Sequence, residues 1–209
     1  RRVLDALIAR QTLGADAQVA LLGVVADMDS SYEQRQVLVA LAPKLGAGDA
    51  IGAAWSRAMA AVDSDYEKKS VIEAMAKRAP LATAEVQRLI KATREIDSDY
   101  ERARALGSLV RHLGADASLV RDFAESAGGI DSDYEKSRVL STLVRDAKLD
   151  KSGFEAVLRA VRNIDSDYEA KNLLTTLASR MPNDADLVAA YRNAARQLGD
   201  HERRAAERR

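Results

Sequence analysis

At 209 residues, 47% hydrophobic and 31% charged, the chain has an ordinary globular balance rather than a disordered one and can bury a core. Lys+Arg and Asp+Glu are equal at 32 each, so no net positive field is present to hold a phosphate backbone, and nucleic acid is not an expected partner. Cys is absent, which excludes disulfides, thiol catalysis and Cys-type zinc sites.

The chain opens on Arg1-Arg2-Val3-Leu4, without an initiator Met or an apolar leader, and reads as a segment of a longer protein whose compartment stays open. No run approaches the roughly 20 apolar residues that span a bilayer, so no membrane contact is expected of this segment. Aromatics are only 4%, so the core must be built from Leu, Val, Ile and Ala, which favours closely spaced helices.

Self-similarity then organises everything that follows. Asp29-Ser30-Ser31-Tyr32-Glu33 is followed by four copies of Asp-Ser-Asp-Tyr-Glu, at 63–67, 97–101, 131–135 and 165–169. Tyr32, Tyr66, Tyr100, Tyr134 and Tyr168 are spaced by 34 residues without insertion or deletion. Val3-Leu4, Val37-Leu38, Val71-Ile72, Ala105-Leu106, Val139-Leu140 and Leu173-Leu174 share one register. The units are therefore 1–29 (lacking its opening), 30–63, 64–97, 98–131, 132–165 and 166–199, with 200–209 as the start of a degenerate seventh.

Each unit reads as two helices. The repeated motif has the S-x-x-E spacing of a capping box, in which the Ser hydroxyl accepts from the N3 amide and the N3 Glu reaches back to the N-cap amide. The residues concerned are Ser30 and Glu33, Ser64 and Glu67, Ser98 and Glu101, Ser132 and Glu135, and Ser166 and Glu169. Helix A continues with apolar residues at helical spacing, as in Val71, Ile72 and Met75, and stops at loops marked by Gly46 and Gly48, Pro80, Gly114, Asp150 and Pro182-Asn183. Asp49, Thr83, Asp116 and Asp184 are placed to cap helix B. Helix B pairs a bulky position (Leu21, Trp55, Leu89, Phe123, Val157, Tyr191) with a small one (Val24, Ala58, Ala92, Ser126, Ala160, Ala194), so that neighbouring helices interdigitate. The expected fold is an all-α solenoid, one repeat domain over 1–209, of about six stacked helix pairs.

The period and topology are similar to those of tetratricopeptide repeats, and the large-small core to HEAT-like repeats. The string from Asp131 to Leu140, Asp-Ser-Asp-Tyr-Glu-Lys followed by Val-Leu, resembles helical repeats of bacterial proteins, including regions appended to membrane-bound zinc metallopeptidases of the antibiotic-sensor type. The resemblance covers nearly the whole chain and implies a bacterial, cytoplasmic or extracytoplasmic, interaction or sensing segment. No peptidase motif comes with it, because His-Glu-x-x-His is absent and there are only two histidines, His112 and His201.

Candidate chemistry is sparse. The acidic triplet Asp63, Asp65 and Glu67 could offer oxygens to Ca²⁺, but lacks the EF-hand spacing, and Ser31 breaks it in the first copy; capping is the preferred reading, with no metal and no cofactor expected. The tyrosines could form a ladder for a peptide, or sit in the seams between units, which their identical spacing favours. Basic residues after the cap (Lys68-Lys69, Arg102 and Arg104, Lys136 and Arg138) and on helix B read as a solvated mixed-charge face. Gly128-Gly129 reads as a helix termination, and no acid, base and nucleophile constellation appears, so no enzyme is expected.

The reading is a non-enzymatic protein- or peptide-binding scaffold within a larger protein. Arg57, Lys91, Glu125, Arg159 and Asn193 are the candidate partner-binding residues, because helix B positions freed from packing can encode a ligand. The alternative is a structural spacer or rod that self-associates end to end through apolar ends at 1–13 and 191–209.

Overall fold

The computed structural model describes residues 13–78 and 80–199. The opening of the first unit, the degenerate seventh unit, His201 and most of the proposed apolar ends lie outside the described residues. Eleven α-helices, two 3₁₀ turns and no strand occur among those described.

The chain divides into two compact units, residues 1–108 and 109–209. The first contains α1 (Ala15–Ala26), α2 (Ser31–Leu41), α3 (Asp49–Ala60), α4 (Asp65–Ala76), α5 (Thr83–Thr93) and nearly all of α6 (Asp99–Leu109). The second contains α7 (Ala117–Gly128), α8 (Asp133–Asp146), α9 (Lys151–Val161), α10 (Asp167–Ala178) and α11 (Ala185–Ala195). The 3₁₀ turns are Ala42–Lys44 and Val110–His112.

Each unit is a stack of helix pairs in two layers. In the first, α1 packs on α3 and α3 on α5, while α2 packs on α4; in the second, α7 packs on α9 and α9 on α11, while α8 packs on α10. B helices thus stack on B helices and A helices on A helices, the all-α solenoid arrangement that the 34-residue period predicts.

The large-small pairing supplies the core. Leu21, Trp55, Leu89, Phe123, Val157 and Tyr191 are buried, as are Ala58, Ala92, Ser126, Ala160 and Ala194. Val24 shares the small position but is half-exposed, since α1 has a neighbouring B helix on one side only among the described helices.

Every A-helix serine forms its half of the cap: Ser30, Ser64, Ser98, Ser132 and Ser166 Oγ accept from the amides of Glu33, Glu67, Glu101, Glu135 and Glu169, each over a long 3.4 Å. The expected return bond from Glu is replaced. Glu67 pairs with Arg35 at 2.5 Å, Glu101 with Lys69 at 3.4 Å and Glu135 with Arg138 at 2.6 Å, because a cation is a stronger partner for a carboxylate than a neutral amide.

The N-cap amide is satisfied by the preceding repeat instead. Ser98 N donates to Asp65 Oδ2 at 2.7 Å and Ser166 N to Asp133 Oδ2 at 2.8 Å, each from 33 residues away. In the first copy Ser31 stands at this position, and its hydroxyl accepts from Asp63 N at 3.0 Å. The second Asp of the motif is therefore a staple between successive repeats.

The B helices are capped less uniformly than their sequence predicts. Asp116 accepts from Ser118 N and Leu119 N, Asp150 from Gly153 N, and Asp184 from Asp186 N and Leu187 N. Asp49 and Thr83 are instead the first helical residues, and the N-caps before them, Gly48 and Ala82, offer no side chain. Gly48 is at φ 130°, a conformation that favours glycine over a capping Asp or Ser.

Candidate partner-binding surface

The tyrosines stand out from the rest of the motif. Tyr32, Tyr66, Tyr100, Tyr134 and Tyr168 are 50–60% exposed, which overturns the expectation that they fill the seams. The reason is angular: Tyr66 is nine residues before Met75, about two and a half helical turns, so it points away from the buried stripe of Val71, Ile72 and Met75. The same interval separates Tyr32 from Leu41 and Tyr134 from Leu143, and was available in the sequence.

Four rings carry a cation. Arg35 lies 4.9 Å from the Tyr32 centroid, Lys69 4.1 Å from Tyr66, Arg104 5.9 Å from Tyr100 and Lys171 4.5 Å from Tyr168. Arg35 and Lys69 are the same residues that pair with Glu67 and Glu101 of the following repeat, so their charge is neutralised where they stack. Arg104 also approaches Glu73, at 3.9 Å. The Tyr32 hydroxyl accepts from Gln36 at 2.6 Å.

The neighbouring basic position does not form the expected solvated face. Lys68 Nζ donates to the carbonyl of Glu95 at 2.8 Å and Lys136 Nζ to that of Asn163 at 2.5 Å, each closing the C-terminal end of helix B in its own repeat. Gln34 takes this place in the first complete unit, donating to Ala61 O at 3.2 Å and also to Val25 O and Met28 O. Lys69 and Lys136 are buried. A cation at a helix C-terminus complements the carbonyl dipoles there.

On the other layer, Arg57, Lys91, Glu125, Arg159 and Asn193 are all exposed on α3, α5, α7, α9 and α11. Glu125 and Arg159 come together in a groove of about 350 Å³ in the second unit, walled by Arg121, Glu125, Arg159 and Asn163 over a floor of Ala124, Gly128, Ala156 and Ala160. Gly128 makes the groove open. It occupies the repeat position held by Arg94 and Arg162 elsewhere, and ends α7 with Gly129 as its C-cap, the termination expected from the sequence.

Titration anomalies among the described residues belong to caps rather than to a reaction centre. Asp150 is held below the usual carboxylate range by the Gly153 amide and the Ser152 hydroxyl, and Asp184 by Lys151 and the Leu187 amide. Lys151 is raised by Asp186, 2.5 Å away, and by Asp184. His112 is half-buried, with Nε2 accepting from Arg111 Nε at 3.2 Å. Among the described residues no group of three or more His, Cys, Asp or Glu could hold a metal ion, and Asp65 and Asp133 of the acidic motif are engaged as staples. No described helix is long and apolar enough to cross a membrane.

This chain matches no family model, no curated protein and no solved structure. The functional argument therefore rests on the division of labour inside the repeat. Ser caps, the second Asp staples, Glu forms ion pairs in three copies, and the residue after Glu clasps helix B in three.

Proposed function

We propose that the chain is a non-enzymatic protein- or peptide-binding repeat segment of a larger bacterial protein, and that its tyrosine edge is the principal contact surface. The observation that carries this is the exposure of five tyrosines repeated as strictly as the caps and staples, at a position that packing does not use. Tyrosine offers a rigid apolar ring with a polar tip, which gives contact area at low entropic cost. The groove at Glu125 and Arg159 favours the B-helix layer as a second surface, with Arg57, Lys91 and Asn193 as its further members.

Selection of a displayed random-peptide library on the wild-type chain tests the reading, against a variant with all five tyrosines changed to Ser. Substituting such exposed positions should move stability within about 0.5 kcal/mol each. Sequences should be enriched on the wild type and lost on the folded variant. Failure to enrich any sequence on the wild type, or equal enrichment on both, would sink the tyrosine edge as the binding surface.

A further inference from the structure

The tyrosine edge of the first unit carries a charge pattern that specifies its ligand. Three residues before each tyrosine is an Asp: Asp29 before Tyr32, Asp63 before Tyr66 and Asp97 before Tyr100. All three are exposed, and no ion pair or hydrogen bond forms on their carboxylates among the described residues. The cations beside them are in a different condition. Arg35 and Lys69 pair with Glu67 and Glu101, and Lys68 is bonded to the Glu95 carbonyl. Arg104, over Tyr100, reaches Glu73 at 3.9 Å, and Arg94 is exposed before Asp97, so the charge left available is negative at the first two rungs and more balanced at the third.

Spacing adds a second constraint. A helices of successive repeats stack directly, α2 on α4, and α4 is linked to α6 by Lys69 to Glu101 and by Asp65 to the Ser98 amide. Packed helices lie roughly 8–10 Å apart. A polyproline II helix advances about 9.3 Å in three residues and returns each third side chain to the same face. Successive Asp-Tyr rungs therefore match every third residue of such a segment. On that face a cation can meet the Asp carboxylate with its head group and the free side of the tyrosine ring with its stem and charge.

Resting on the binding role proposed above, we infer that the first unit binds an extended, proline-rich segment bearing Lys or Arg at every third residue, with three cations on the rungs Asp29/Tyr32, Asp63/Tyr66 and Asp97/Tyr100. Specificity comes from register: a segment with the same charge in one block meets one rung rather than three. The second unit is the poorer site, because it carries two rungs, Asp131/Tyr134 and Asp165/Tyr168, rather than three.

Fluorescence anisotropy with two labelled nine-residue peptides of identical composition tests this, (Lys-Pro-Pro)₃ against Lys₃Pro₆. The first should bind the whole chain about tenfold more tightly than the second. Changing Asp29, Asp63 and Asp97 to Asn, or separately Tyr32, Tyr66 and Tyr100 to Ser, should each weaken it about tenfold. Tyr134→Ser with Tyr168→Ser should weaken it by less than about threefold, because the second unit offers two rungs rather than three, and circular dichroism should show every variant folded. Equal binding of the two peptides, absence of binding, or equal loss on changing the second-unit tyrosines would overturn the inference. Library enrichment of sequences without a cationic triplet would overturn it too, while leaving the broader binding role intact.

Discussion

The two units use one repeat motif and secure it by different means. In the first, the three B helices begin at Gly14, Gly48 and Ala82, none of which supplies a capping side chain, and the A helices are linked by ion pairs, Arg35 to Glu67 and Lys69 to Glu101. In the second, all three B helices begin at a capping Asp, and the A-helix link is a hydroxyl bond, Ser137 Oγ donating to Glu169 O at 3.1 Å. Glu135, freed from a partner in another repeat, turns to Arg138 on its own helix. A repeat thus fixes which backbone groups must be satisfied and leaves open what satisfies them.

The largest expected effect comes from the clasp. Lys136 is buried, with Nζ on Asn163 O and 3.4 Å from Asp133, so Lys136→Met should cost about 3 kcal/mol by leaving that carboxylate without its cation. Lys68→Met removes a more exposed bond and should cost under about 1 kcal/mol. Urea unfolding followed by hydrogen exchange on peptides of each unit measures both; equal losses would break the contrast.

Capping offers a sharper pair. Ala82 has extended backbone and already receives Glu85, whose Oε2 accepts from its amide at 3.1 Å, so Ala82→Ser completes a capping box and should stabilise the first unit by about 1 kcal/mol. Asp150→Ala should destabilise the second by a similar amount, about 1 kcal/mol. A stabilised first unit beside an unaffected Asp150→Ala variant would mean that neighbouring repeats, rather than caps, hold the second unit.

Acid should separate the units least, but in a defined direction. Asp150 and Asp184 are lowered in the folded state, so the stability they contribute is complete above the unfolded carboxylate range and lost as pH falls through their folded values. Amide exchange in α9 and α11 should therefore rise below about pH 4. The B helices of the first unit have no capping Asp and should show no such cap-linked step. An identical acid response in both units would count against the caps as its source.

Much of the architecture was legible in the sequence because it is local and periodic. The 34-residue spacing, the A-helix serine caps and the large-small positions of helix B each follow from residues within one repeat. The motif's other members were harder to read because their partners lie elsewhere. Nothing in Glu67 itself distinguishes a bond to its own Ser64 from an ion pair with Arg35, 32 residues earlier. Asp65 reads as a helix-dipole residue until Ser98 is brought beside it. Regular spacing suits a seam and an outer face equally, and only the angle of the tyrosines to the apolar stripe separates the two. The groove at Gly128 depends on the contrast between this glycine and the arginines of other copies, and on the packing of α7 against α9.

The Asp staple gives the stack a direction. The acceptor always precedes the donor in the chain, Asp65 before Ser98, Asp133 before Ser166 and Asp167 before Gly199, and Ser31 likewise before Asp63. During synthesis, each new loop emerges after the side chain that will receive its amide. Within each unit, growth from the ribosome can proceed by templated addition, with a finished pair presenting the acceptor for the next, whereas a fragment beginning within that unit starts with its first loop amide unmet.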